Sequence, residues 1–172
     1  MNERMTEALV LSIQQTGEAD GRVTLFTRDF GKVVARAKSM YKPTSKLAAH
    51  LQPLSVCQVR LVEKKGVQVV DAVRRHTYAP QGSTSAELIR MLGAAELLRE
   101  LTHPGQHDPV VWGLIASGHL ASRGLLKALG FDPDHARCSR CEKNPPRYFL
   151  TRETVYICEP CASKAGRAVS IS

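Results

Sequence analysis

Four of the chain's cysteines fall into two Cys-x-x-Cys pairs, Cys138 with Cys141 and Cys158 with Cys161, with 16 residues between the pairs. Thiolates are soft donors, and each two-residue gap lets the backbone turn so that both sulfurs face one ion. Two such pairs predict one closed, tetrahedral zinc site with a structural role. Four protein ligands leave no open position for water, so zinc chemistry on a substrate is not expected. An iron–sulfur cluster would use the same donors, and a redox pair or plain buried thiols are the blander readings. His135 stands near the first pair and reads as a solvent-facing histidine. Cys57, outside the pairs, reads as a small buried apolar residue. Paired cysteines at this spacing point to metal rather than to a disulfide framework.

The second chemical signal is charge. The net charge is +8, from 24 Lys and Arg against 16 Asp and Glu. Residues 1–78 hold 13 basic and 7 acidic side chains, and from Phe30 through Val62 there is no acid at all. That window contains Lys32, Arg36, Lys38, Lys42, Lys46 and Arg60, with Arg28 just before it. Cations without compensating acids suit a polyanion, so phosphate contact is expected rather than a merely solvated face. Arg28, Lys32, Arg36, Lys38, Lys42 and Lys46 are the candidate phosphate contacts. Tyr41, between Met40 and Lys42, is the candidate for base stacking. Aromatics are otherwise sparse near this run, which predicts backbone-driven binding more than base reading. The sequence has no phosphate-cradling Gly-rich loop, no Ser-His-Asp or Cys-His arrangement and no carboxylate cluster for two metals, so an enzyme is not expected.

The elements that must position these residues follow from periodicity. Ala8–Gln14, Arg22–Thr27, Lys32–Ala37, Leu54–Val62 and Val67–Val73 read as strands. Lys32, Arg36 and Lys38 share one face of the third by parity. Between the third and fourth, Thr44–Leu51 reads as a short helix that Ser45 could cap and Pro53 stops. Three strands, a helix and two strands is the order of an OB-fold barrel. Thr84 and Glu87 make a capping box for a helix striped by Leu88, Met91, Leu92, Ala95, Leu98 and Leu101. Pro104 and Gly105 end it, and Asp108–Pro109 starts further helix that Gly130 stops. The stretch between the cysteine pairs reads as a hairpin. The expected class is α+β: a five-stranded OB-fold barrel over 1–80, a small helical domain over 81–131, and a four-cysteine zinc element with a C-terminal tail over 132–172. No apolar run approaches the roughly 20 residues of a membrane helix, so a cytoplasmic protein without membrane contact is expected, and DNA contact would make it nucleoid-associated.

Several short motifs occur in a telling order. Thr24-Leu25-Phe26-Thr27-Arg28 is followed by Phe30-Gly31-Lys32, Ala37-Lys38, Lys46-Leu47 and Leu51-Gln52-Pro53-Leu54; later Leu129-Gly130-Phe131 precedes the first cysteine pair. In this order the chain resembles the bacterial RecO family of DNA repair and recombination mediators. The resemblance implies an OB domain, a helical domain and a zinc element. It implies binding of single- and double-stranded DNA and annealing of complementary strands. It also implies RecR and the single-stranded-DNA-binding protein SSB as partners, and assistance in loading RecA recombinase. The helical segment is shorter than is usual in that family, so the resemblance implies no particular SSB-contact residue. The rival readings are a zinc-containing protein-interaction adaptor and a zinc-ribbon transcription or RNA-binding factor.

Overall fold

β1 (Asn2–Thr16) is apolar on both faces where it is central, and it buries both. In the computed structural model, which describes residues 2–171, Ala8 and Val10 join the barrel interior, while Leu9 and Leu11 join a second cluster beneath the helices. β1 pairs antiparallel with β2 (Asp20–Thr27) from Ala8 onward, and with β4 (Ser55–Lys64) over Asn2–Leu9. One long strand pairing with two neighbours lets the sheet close on itself. β3 (Gly31–Ala37) follows β2 in a tight hairpin, and β5 (Gly66–Thr77) runs antiparallel to β4. The result is a closed five-stranded barrel in the order β1-β2-β3-β5-β4.

The joint between β3 and β5 is the weak seam. It is parallel and has a single registered pair, Arg36 with Gln68. α1 (Leu47–His50) packs Leu47 and Ala48 against the barrel core. Ser45 does not cap it: Lys46 holds the cap position, with no side-chain hydrogen bond. The strand expected at Ala8 begins at Asn2, because its amphipathic first half pairs only with the distant β4.

α2 (Ser85–Leu101) starts at the expected capping box, Thr84 accepting from the Glu87 N–H and Glu87 accepting from the Thr84 N–H. α3 (Pro109–Ala116) starts at Asp108, whose carboxylate accepts from the N–H groups of Val110 and Val111 at 2.9 and 3.0 Å. α4 (Ser122–Ala128) ends before Gly130, at φ 88°. There the Phe131 N–H returns to the Leu126 carbonyl, closing the helix end. Leu9, Phe26 and Val56 of the barrel pack against Ala95, Leu98, Val111, Trp112 and Ile115.

The leucine stripe needs one correction. Leu92 is 47% exposed, whereas Leu97, off the stripe, is fully buried with Leu126, Phe149 and Val169. The last turns of α2 are wedged between the barrel and the C-terminal lobe, so two of their faces are covered. That lobe is the expected hairpin, β6 (Tyr148–Leu150) with β7 (Val155–Ile157), followed by the short helix α5 (Glu159–Ala162). Its tail is not loose: β8 (Val169–Ser170) adds a third strand beside β6. Among the described residues no helix is long and apolar enough to cross a membrane.

Candidate nucleic-acid groove and thiol cluster

The basic run divides once it is folded. Arg22 and Arg36 are direct cross-strand partners near one end of the β2–β3 hairpin, and Phe26 and Lys32 are partners near the other. At about 3.3 Å per residue, Arg28 lies roughly 20 Å along the hairpin from Arg22. Two cations face to face repel, and Asp20 offsets that repulsion by pairing with Arg36. Arg36 Nε donates to its carboxylate at 3.0 Å, a second guanidinium nitrogen donates to the same oxygen, and the Ser39 N–H donates at 2.7 Å. The Ser39 N–H first, and Arg36 second, hold the Asp20 carboxyl below its ordinary pKa.

Around this pair opens a groove of about 800 Å³. Its walls are the β1–β2 turn, the outer face of β2 and β3, and the β4–β5 turn; Arg22, Arg36, Lys42 and Lys65 supply cations, Glu18 and Asp20 acids. Lys38 lies close enough to Asp20 to lower its pKa further. Lys38, Lys42 and Lys46 make no ion pair among the described residues. Tyr41 is 43% exposed and adjoins Gly21 at the groove's edge.

Two candidates are placed differently. Lys32 Nζ donates to the Arg99 carbonyl at 2.7 Å, and burial lowers its pKa. It is spent on the end of α2 rather than presented to solvent. Arg28 is exposed at the far end of the hairpin, 3.7 Å from Glu7. Arg22 and Lys65 were missed in the sequence. The signal was available for both: in this barrel order the β1–β2 and β4–β5 turns flank one face, and Lys65 sits in the second of them.

The thiol cluster is brought together as expected. The sulfurs of Cys138, Cys141, Cys158 and Cys161 all lie within 4.8 Å of one another, and those of Cys141 and Cys158 are 3.6 Å apart. Four sulfurs about 2.3 Å from a tetrahedral zinc ion would stand about 3.8 Å apart. The cluster could therefore hold a metal ion. The Ser139 N–H binds the Tyr156 carbonyl and the Glu142 N–H binds the Cys138 carbonyl, which curls the first knuckle against the hairpin. Burial pushes the Cys138 thiol up, but N–H groups of Cys158, Arg140 and Cys141 outweigh it and bring the pKa to about 6. Cys161 is pushed up to about 12, first by its neighbour Cys158 and then by burial. A nest this tight cannot ionise all its thiols without a cation to absorb the charge. Cys57 is buried in the barrel, donates to the His50 carbonyl at 3.2 Å and has its pKa raised to about 11 by burial.

Residues 1–77 match the family model described as "Recombination protein O N terminal", and residues 121–172 match "Recombination protein O C terminal". A protein of Myxococcus xanthus named "DNA repair protein RecO" is 32% identical, with 96% of this chain and 75% of that one covered. A protein of the same name from Heliobacterium modesticaldum is 34% identical, over 78% of this chain and 54% of that one. One from a Nocardioides species is 27% identical, over 96% and 79%.

Proposed function

This chain belongs to the recombination protein O family of DNA repair proteins, and on that premise we propose that its barrel binds single- and double-stranded DNA and anneals complementary strands. The observation that carries this is the groove on the β2–β3 face, flanked by the β1–β2 and β4–β5 turns, where barrels of this type take oligonucleotides. Complementary strands repel through their phosphates. A groove of cations screens that repulsion while leaving the bases free to pair. The proposed phosphate contacts are Arg22, Arg36, Lys38, Lys42, Lys46 and Lys65, with Tyr41 available to stack at the edge. Arg28 would meet only a duplex or second strand long enough to reach the other end of the hairpin.

Zinc is the proposed occupant of the thiol cluster. Cys138, Cys141, Cys158 and Cys161 would hold it, and its binding energy would fold the C-terminal lobe. That lobe packs on α2 through Leu97 and Phe149, so the metal stiffens the platform behind the barrel without entering any reaction. The protein acts in this reading as a mediator in the cytoplasm, not as a bond-breaking enzyme. It works with RecR and SSB in helping RecA onto coated single strands. The test is annealing of two complementary labelled strands, bare and SSB-coated. Acceleration by the native chain that is lost on reversing charge in the groove supports the reading; no acceleration of bare strands contradicts it.

A further inference from the structure

Beyond the phosphate groove, and resting on the reading of that groove as a single-strand path, we propose that an unstacked nucleobase inserts into a separate apolar slot at the β3–β5 seam. The slot has a volume of about 370 Å³; Phe30, Val33, Val34, Leu61 and Val67 give it apolar walls, Arg4 and Lys32 add cations, and Pro104 and Gly105 stand at one side. That size falls within the roughly 300–1,000 Å³ of small-ligand clefts.

The slot exists because the barrel closes poorly there. β3 pairs with β5 only at Arg36–Gln68. Further toward its start, β3 is bridged instead by the loop after α2: Pro104 lies beside Gly31 and Lys32, and the Gly105 N–H donates to the Lys32 carbonyl at 3.2 Å. Gly31, at φ 62°, is required for this approach, since a Cβ would run into the Gln106 carbonyl. Between the loop and the single β5 pair, Val34 is 46% exposed and Val33 and Val67 are half-buried, while Leu61 belongs to the barrel core behind them.

Three features select a nucleobase as the occupant. The slot adjoins the groove, since Val34 and Val67 line both. A strand whose phosphates follow the cations of β2 and β3 therefore arrives at the slot mouth. Within it, the Arg4 guanidinium lies over the Phe30 ring, 4.8 Å from its centre, so the two planar groups are already stacked and a base would extend that stack. The polar groups at the rim include Glu63 and the amide of Asn2, which can meet a base edge.

The test separates bases from phosphates. Binding of the native, metal-loaded chain to oligodeoxythymidylate is compared with binding to an abasic oligomer of the same length and phosphate backbone. Phe30→Leu keeps apolar bulk in the turn but removes the ring; Arg4→Lys keeps the charge but removes the plane. Melting temperatures confirm that both variants are folded. The expected result is that the native chain prefers the base-bearing strand by about tenfold, the gain of one good stacking contact. Both variants lose that preference, while their affinity for the abasic strand and their salt slope stay native. Equal native affinity for both oligomers overturns the slot and leaves the phosphate groove standing. A preference that survives in both variants also overturns it, placing base contact elsewhere, Tyr41 first. Binding of neither oligomer brings down the groove and the slot together.

Discussion

Lys32 Nζ donates to the Arg99 carbonyl oxygen at 2.7 Å, so a cation of the barrel closes the C-terminal end of α2. The last carbonyls of a helix lack intrahelical partners and carry partial negative charge. Nearby, Thr102 takes the Leu98 carbonyl through its backbone N–H and its hydroxyl. Lys32 thus ties the barrel to the helices at the point where Gly31 already touches the loop after α2.

Lys32→Met keeps the aliphatic stem and removes the ammonium. It should cost about 1 kcal/mol, one hydrogen bond at a partly buried site. In a chain of this size that lowers Tm by roughly 2–4 °C. The slope of DNA affinity against salt should not change. An unchanged Tm together with a shallower slope would return Lys32 to the phosphate contacts.

Asp20 restrains the groove. Asp20→Asn frees Arg36 and removes a like charge to DNA, so single-strand affinity at low salt should rise, and the log–log salt slope should steepen by about 0.7, one added contact. Weaker binding would mean that the pair positions Arg36 productively. The pH dependence has a definite sign. The folded pKa of Asp20 is below its ordinary value of about 3.8, so the bonds to Ser39 and Arg36 are fully present above that value and are lost as pH falls through the lowered one. Backbone exchange at Ser39 should therefore quicken only in that acid range.

Metal removal should act on one lobe first. Chelation, or Cys138→Ser, should expose residues 132–172 to proteolysis while the barrel keeps its strand signal. In the metal-loaded chain, a thiol reagent should label no cysteine rapidly. After chelation four thiols should react, and Cys57, buried in the barrel, only on global unfolding. Proteolysis unchanged by chelation would mean that the lobe folds without metal.

Leu97→Ala should cost about 2–5 kcal/mol, since it opens a cavity between α2 and the C-terminal lobe. Leu92→Ala, at an exposed position, should cost less than about 0.5 kcal/mol. Denaturant midpoints compare them directly. Equal losses would contradict the packing described for α2.

These two leucines show where sequence patterning stops being informative. Period-3.6 spacing found α2 and the cap at Thr84, because both are local. It put Leu92 in the core and passed over Leu97, because only the tertiary arrangement covers α2 from two sides. The strand order and the thiol cluster were legible for the same local reasons: alternation, turn residues and Cys-x-x-Cys spacing. The division of the basic run was not. Lys32 and Arg36 share a strand face by parity, yet Asp20 and the Arg99 carbonyl, both brought in from other elements, give them different work. Lys65 was legible only after the barrel order was known.

The central claim is that single-stranded DNA lies in the groove beside Arg36. Its most direct test is the salt dependence of single-strand affinity for the native chain, for a Lys38→Glu, Lys42→Glu double variant and for Arg28→Glu. With about six phosphate contacts, the native log–log slope should be roughly −4. The double variant should lose most of its affinity and show a visibly shallower slope, and Arg28→Glu should bind a short single strand like the native chain. A native slope near zero, or a loss confined to Arg28→Glu, would contradict the placement of DNA in this groove.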